Sequence, residues 1–220
     1  MSGFEQGYFE ANYRNYRAQN PPWKLRYYRR MVEHHAPPGR PVSLLDVGCG
    51  LGAFVGSLSG NPDYDLAATD LSAYAIEHNK KLWPGVDFRV ASATDRPFAD
   101  ASFDVITAFD VVEHVPDLSE VARAVDAMLK PRGTFLFVVP VYDGLTGPVI
   151  RALDRDPTHV HKHPRSFWLR WAQQSFEVLG WHGMLRYLLP GDFYLHLPTK
   201  VWRQHTPAVL VACRRLEKVA

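Results

Sequence analysis

Cysteine is scarce: Cys49 and Cys213 are the only two in 220 residues. So sparse a pair does not make the disulfide framework of a small secreted domain, and both are expected as buried, reduced thiols. Long apolar runs are missing too. No stretch approaches the ~18 residues that cross a bilayer, and the opening Met1-Ser2-Gly3-Phe4-Glu5 has neither a basic n-region nor an apolar h-region. A soluble, cytoplasmic protein with no membrane span is therefore expected. Excess charge of one sign is also lacking, with 25 Lys+Arg against 23 Asp+Glu. A net charge of +2 gives no whole-chain argument for a nucleic-acid partner, and the cluster Arg14, Arg17, Lys24, Arg26, Arg29 and Arg30 reads as a solvated helix face. There is no internal repeat and no low-complexity tract.

What the chain does have is 46% apolar residues, enough for a full core in one domain with a modest extension. The Pro-rich connection Ala36-Pro37-Pro38-Gly39-Arg40-Pro41 divides an N-terminal helical extension, residues 1–40, from a domain over residues 41–220. Strands are expected near 42–47, 65–69, 86–91, 104–109 and 133–139, with helices near 51–59, 72–82 and 117–130. Such alternation implies an α/β fold whose parallel sheet is covered on both faces. A helix near 165–179 and strands near 183–189 and 207–214 follow, the two strands separated by a long connection from Pro190 to Pro207.

The densest signal is Leu44-Leu45-Asp46-Val47-Gly48-Cys49-Gly50-Leu51-Gly52, with Asp70 ending a second apolar run 22 residues after Gly48. A strand, three alternating glycines and a helix make a tight turn whose backbone can touch a ligand, and the later carboxylate suits a ribose. Together they describe a nucleoside-cofactor pocket. Gly48-x-Gly50-x-x-Ala53 also satisfies the dinucleotide fingerprint, so the glycines alone do not separate nicotinamide from other nucleosides. Three further motifs follow in order: Thr69-Asp70-Leu71-Ser72, Pro97-Phe98-Ala99-Asp100-Ala101-Ser102-Phe103-Asp104 and Asp110-Val111-Val112-Glu113-His114-Val115-Pro116-Asp117. In this order they resemble the class I S-adenosylmethionine-dependent methyltransferases, particularly the small-molecule branch that includes the ubiquinone-biosynthesis O-methyltransferases. The resemblance is firm over residues 40–140 and loose on the flanks.

That resemblance implies a Rossmann-like, doubly wound, seven-stranded sheet, mostly parallel with a C-terminal antiparallel hairpin strand, and S-adenosylmethionine as cofactor. It places Asp46, Gly48, Cys49, Gly50 and Gly52 beside the cofactor, Asp70 on both ribose hydroxyls and Leu71 over one adenine face. Asp70 also reads as a helix cap or turn residue, though Ser72 can cap the next helix alone. Where many family members carry an acid after the third strand, this chain has Ser92, whose hydroxyl can take the adenine amino group while the backbone of Ala93 serves the ring nitrogen. Asp95 competes for that role. Phe109 and Asp110 would emerge near the methyl-bearing sulfur.

Asp110, Glu113 and His114 sit at i, i+3 and i+4, sharing a face if the segment is helical. In the ubiquinone-biosynthesis and small-RNA 2′-O-methyltransferases a similar Glu-x-x-Glu-His set binds a divalent ion. Here the first acid is one methylene shorter, and no metal is assigned; His114 reads as a structural residue or catalytic base. In Asp156-Pro157-Thr158-His159-Val160-His161-Lys162-His163-Pro164 the alternating spacing would put three imidazoles on one side of an extended segment, and the resemblance favours His159 as a pocket residue. A base is useful if the acceptor is a hydroxyl.

Tyr13 and Tyr16 are candidates for a lid over the site or for packing the extension onto the sheet. Phe167-Trp168-Leu169-Arg170-Trp171 and Asp192-Phe193-Tyr194-Leu195-His196 read either as walls of an aromatic acceptor pocket or as core. Asn20-Pro21-Pro22-Trp23 matches the tetrapeptide of amino-methylating nucleic-acid enzymes but follows a polar segment, not a strand, and reads as a helix start. The sequence thus points to methyl transfer onto a small-molecule acceptor, at oxygen because histidines surround the expected acceptor site. The alternatives are a nucleic-acid (RNA) methyltransferase and an NAD(P)-dependent reductase, the latter lacking any Tyr-x-x-x-Lys pair to polarise a carbonyl. A homodimer is left open.

Overall fold

The computed structural model describes residues 16–144, 147–154, 156–189 and 193–217. Two helices, α1 (Tyr16–Gln19) and α2 (Pro22–His35), precede the sheet. The strands are β1 (Val42–Val47), β2 (Tyr64–Asp70), β3 (Asp87–Val90), β4 (Phe103–Phe109), β5 (Leu129–Pro140), β6 (Phe176–Leu189), β7 (Phe193–Thr199) and β8 (Ala208–Arg215). Between them lie α3 (Ala53–Gly56), α4 (Ala73–Leu82), α5 (Leu118–Met128), α6 (Gly147–Leu153) and α7 (Arg165–Ser175). The sheet order is β3-β2-β1-β4-β5-β8-β6-β7. β1 to β5 run parallel, whereas β8 pairs antiparallel with both β5 and β6.

This is the expected α/β architecture with eight strands instead of seven. The extra strand is β7, which lies in the segment read from sequence as a connection. Leu195 and Leu197 of β7 pair with Tyr187 and Leu185 in the β6–β7 hairpin, a non-local ladder that periodicity within one segment does not announce. The helix placed near 165–179 ends at Ser175, because Phe176 turns extended and enters the core at 2% exposure. The helix placed near 51–59 is the single turn Ala53–Gly56.

Local chemistry explains the helix starts. Ser72 accepts the Ala75 N–H and caps α4. Asp117 accepts from the amides of Ser119 and Glu120, and Leu118, Val121, Ala122, Val125 and Met128 then turn one apolar stripe of α5 onto the sheet. Proline at the first position opens α2, as the Asn20-Pro21-Pro22-Trp23 reading expects. The core has two layers: α5 and α7 pack on one face around Phe135, Phe137 and Trp168, while α2 and α4 pack on the other around Leu44, Leu136 and Leu210. Trp168 and Trp171 belong to the first layer and wall no acceptor pocket. Both cysteines are free and buried.

Strand order reverses at β1, whose neighbours are β2 on one side and β4 on the other. A ligand site is expected beyond the carboxyl ends at this switch point. The three steps from β4 across β1 and β2 to β3 span about 14 Å at ~4.8 Å per step, enough for a nucleoside carrying an amino-acid tail. Since Phe137 is fully buried and touches Phe135 and Trp171 at centroid distances of 5.2 and 5.3 Å, Phe137→Ala should cost about 3–5 kcal/mol, read as a lower urea midpoint.

Candidate active site

The turn after β1 sets the geometry. Gly48, Gly50 and Gly52 have φ of 68°, 52° and 71°, a region closed to most side chains. A Cβ on Gly48 would lie 2.4 Å from Val111 Cγ2, and one on Gly52 would lie 2.4 Å from the Trp83 ring. Only at Gly50 is the space open, with the Tyr16 hydroxyl 4.0 Å away. Thus Gly48 admits the chain that follows β4, Gly52 admits Trp83, and Gly50 faces the cleft. Gly52 does not line that cleft, whose lining includes Asp46, Gly48, Cys49 and Gly50.

Asp70, at the end of β2, accepts the Gly50 N–H at 2.8 Å on one oxygen and the Ser72 N–H at 2.9 Å on the other. It ties the glycine turn to its neighbouring strand, while the hydroxyl of Ser72 does the helix capping. Burial nonetheless raises the Asp70 pKa. Asp46 is 4% exposed and accepts from the Thr107 hydroxyl at 2.7 Å, and burial lifts its pKa from 3.8 to about 7. Asn79 of α4, which the sequence did not single out, donates to the Gly50 carbonyl at 2.8 Å and rigidifies the turn. Burial pushes the Cys49 thiol well up, so it stays protonated.

Leu71 stands 55% exposed at the end of β2. Ser92 and Ala93 follow β3; the Ser92 N–H donates to Asp95 at 2.7 Å and its hydroxyl meets Thr94 at 2.9 Å. Asp95 therefore closes its own loop. Going from β4 to β3, the rim presents Phe109 and Asp110, then the glycine turn, then Asp70 with Leu71, then Ser92 with Ala93.

The reacting end is a cleft of about 330 Å³. Asp110 (φ 60°) reverses the chain after β4, and its carboxylate pairs with Arg186 of β6. Burial would raise the Asp110 pKa, but Arg186 and Lys24 outweigh it and keep the group ionised. Val112–His114 form one 3-10 turn. The amides of Val160 and His161 both donate to the Glu113 carbonyl at 3.1 Å, wrapping the histidine-rich segment around that turn. For this reason His159 parts from the other two, while His161 and His163 stay side by side with ring centroids 5.4 Å apart. His159 enters the cleft, whereas His161 bonds the Val115 carbonyl at 3.0 Å and His163 stacks on Phe167 at 3.8 Å.

His114 and His159 face each other with ring centroids 4.7 Å apart. Thr158 gives its one hydroxyl proton to Asp156 at 2.5 Å, so its contact with His114 Nδ1 at 2.9 Å makes that nitrogen the donor. His159 Nδ1 lies 2.8 Å from Asp154, which also accepts from Tyr142 and, at 3.0 Å, from Lys162. Burial works against the Asp154 charge, yet these donors hold its carboxyl below the ordinary range, so His159 Nδ1 carries the proton. In both rings Nδ1 is the engaged nitrogen. Burial, with His159 alongside, also lowers the His114 pKa.

Glu113 is fully buried, neither carboxylate oxygen has a hydrogen-bond partner, and burial raises its pKa well above the usual range. One donor atom each of Glu113, His114 and His159 lies within 4.8 Å of the others, a set that fits a divalent ion. Asp110 is not part of it, being held by Arg186. An ion bound there would act as a Lewis acid on an acceptor oxygen. Lys24 Nζ donates to the Gln19 carbonyl and Asn20 Oδ1, both at 3.1 Å, and burial lowers its pKa to about 8. Tyr28 stacks on Phe109 at 4.2 Å. The Tyr16 hydroxyl accepts the Ala53 N–H at 2.9 Å over the glycine turn; Tyr13 lies outside the described residues. Arg186 escaped the sequence reading, although a lone arginine amid Met184-Leu185 and Tyr187-Leu188 was a signal of a buried partner, and Lys24, expected on a solvated helix face, is instead buried.

Residues 45–137 match the family described as "Methyltransferase domain". Over this stretch the chain is similar to methyltransferases. It is 38% identical over 103 residues to phosphoethanolamine N-methyltransferase 3 of Arabidopsis thaliana, a match covering 45% of this chain and 21% of that protein. It is 35% identical over 114 residues to ubiquinone biosynthesis O-methyltransferase of Thiobacillus denitrificans, covering 49% of this chain and 48% of that one. The chain thus spans half or less of the length of these curated relatives. Geranyl diphosphate C-methyltransferase from Streptomyces coelicolor, solved with Mg2+ and S-adenosyl-L-homocysteine, shares the fold at a TM-score of 0.63 and 16% identity, over 90% of this chain and 84% of that one. Among the described residues, no helix is long and apolar enough to cross a membrane.

The Asp46 pKa gives a pH test. Because its folded value lies above its ordinary 3.8, the protein loses stability as pH rises through about 7 and the buried carboxyl ionises. Asp46→Asn should therefore stabilise the ligand-free protein at pH 8 by roughly 1–4 kcal/mol and leave it nearly unchanged at pH 4. Thermal unfolding at the two pH values checks this.

Proposed function

We propose that the domain transfers the methyl group of S-adenosylmethionine to a hydroxyl oxygen of a small-molecule acceptor, with His159 as general base. The observation that carries this reading is the Asp154–His159 pair, 2.8 Å apart at the wall of the cleft beside the glycine turn. It fixes the tautomer and aims a basic nitrogen at the space an acceptor would fill. In the reaction the acceptor oxygen attacks the methyl carbon, the C–S bond breaks with its electron pair going to sulfur, and the hydroxyl proton passes to His159 Nε2. The chain's main contribution is alignment, since the sulfonium already activates the carbon. Asp154 is a positioning residue, holding the imidazole through Nδ1.

On this reading the cofactor lies along the rim, its amino-acid part beside Asp46, Gly48, Cys49 and Gly50, its ribose on Asp70, and its adenine against Leu71, Ser92 and Ala93. Phe109 borders the sulfur. Asp70 would exchange its Gly50 contact for ribose hydroxyls. The ionised form of Asp46 suits a cationic ligand, so cofactor affinity should rise from pH 6 to pH 8 and lose that slope in Asp46→Asn. His114, neutral because burial lowers its pKa, supports the acceptor beside His159.

Labelled methyl transfer to a panel of phenols, catechols, sugars and amines tests the acceptor atom. His159→Gln should lower kcat by roughly 10²–10⁴-fold with unchanged cofactor Kd, and Asp154→Asn should lower it less. Asp70→Ala should weaken cofactor binding. Activity that persists after dialysis against EDTA supports His159 as base. Activity lost and then restored by Mg2+ or Zn2+ would replace that role with ion coordination by Glu113, His114 and His159. Methylation confined to amines would overturn the oxygen assignment.

A further inference from the structure

Away from this cleft, a second cavity of about 300 Å³ opens between the C-terminal end of α2 and the β6–β8 part of the sheet. Its floor is apolar, with Leu210 and Ala212 of β8 and Met31 of α2. The polar groups around it are all of one kind: His34 and His35 from α2, His182 from β6, Lys200 from the end of β7, and Arg203 from the 3-10 turn Arg203–His205. Among the described residues no carboxylate lines it. In a chain of nearly balanced charge, five basic side chains from four segments around one hollow are unlike a solvated surface face.

Two of these groups, Arg203 and His182, are held in place. Arg203 lies over the Trp181 ring at 4.1 Å and donates to the Trp181 carbonyl at 3.4 Å. A Cβ at Gly183 would fall 2.5 Å from the Arg203 Cα, so the bare glycine is what lets the 3-10 turn settle against β6. His182 Nδ1 lies 2.6 Å from the Tyr27 hydroxyl. Burial raises the Tyr27 pKa, so the phenol keeps its proton and donates it, and the neutral His182 carries its own proton on Nε2.

We propose that this cavity binds a phosphate-class anion, gripped by Lys200 and Arg203 and by N–H donors of His182 and His35. A site of this size and apolar floor takes a compact phosphate or diphosphate group with a small organic substituent. Binding would draw in protons. His35 is held neutral by burial and by His34 on its own helix, His182 on β6, Lys200 after β7 and Arg214 on β8, which bring its pKa to about 4. His182 is likewise depressed by burial and by Lys200, His34 and Arg203. A bound anion reverses the sign of the local field and raises both. Affinity should therefore increase as pH falls.

The test is calorimetry with sodium pyrophosphate on the whole chain at pH 5.5, 6.5 and 7.5, alongside cosedimentation with phosphatidylglycerol vesicles. Pyrophosphate is expected to bind three- to ten-fold more tightly per pH unit on going down, with proton uptake seen in buffers of different ionisation enthalpy. Lys200→Gln and Arg203→Gln should each weaken it by at least ten-fold and leave basal methyl transfer unchanged. Vesicle binding lost in the same two variants, without binding of free pyrophosphate, supports the same anion site with a lipid headgroup as the source. Absence of both, or binding that survives Lys200→Gln and Arg203→Gln, overturns the proposal. Circular dichroism of each variant separates lost binding from lost folding. Because neither residue lines the methyl-transfer cleft, failure here leaves the His159 reading standing.

Discussion

The seating of Val111 against Gly48 is the contact on which the rest of the cleft depends. Neighbouring parallel strands β1 and β4 end side by side, and each must turn away from the sheet. Since Gly48 has no Cβ, the Val111 side chain occupies the 2.4 Å gap that a Cβ would need. The two turns close onto each other, and everything after Val111 is placed by that closure. Val112, Glu113 and His114 follow at once in a single 3-10 turn, and the Glu113 carbonyl then gathers the amides of Val160 and His161. A segment some 45 residues further along the chain is brought to the cleft by these backbone hydrogen bonds together with the Thr158–His114 and His161–Val115 contacts. Its side chains, Thr158 and His159, arrive already oriented.

Burial governs the electrostatics of this cleft more than charge pairing does. Asp46 and Glu113 are both desolvated and lack a cationic partner, and both have raised pKa values. Asp110 is as deeply placed, but Arg186 and Lys24 compensate it, and it remains charged. Three carboxyls in one cleft thus hold different proton counts at neutral pH. The pair most sensitive to a ligand is the uncompensated one, because an incoming cation supplies what the protein withheld. A sulfonium nucleoside with an ammonium group has the charge that Asp46 lacks.

How much of this was legible in the sequence follows from the range of each interaction. The glycine turn, the Ser72 cap and the apolar stripe of α5 depend on residues within a few positions of each other, and they read directly. Asp70 was visible by its spacing from Gly48, although its present bonds to Gly50 and Ser72 were not. The β6–β7 hairpin was missed because its pairing joins two irregular segments across a turn whose residues are not periodic. The roles of Arg186 and Lys24 were missed with it, since both derive their meaning from Asp110, which lies 76 residues before Arg186 and 86 after Lys24. The histidine tract shows the converse failure. An extended strand would have aligned His159, His161 and His163, but the Glu113 carbonyl bends the backbone and separates His159 from the contacting pair His161 and His163.

The division between the two ends of the sheet also explains why recognition stops where it does. The family match covers residues 45–137, that is β1 to β5 with the glycine turn. The other walls of the cleft come from elsewhere: Lys24 and Tyr28 from α2, His159 from the loop before α7, and Arg186 and Tyr194 from the β6–β7 hairpin. Over Phe109 and Asp110, Tyr28 of α2 stacks and Arg186 of the hairpin pairs. The relatives named for N- and O-methylation align with this chain over about half its length. The family match thus leaves out α2, the His159 loop and the hairpin, the three segments that wall the far side of the cleft.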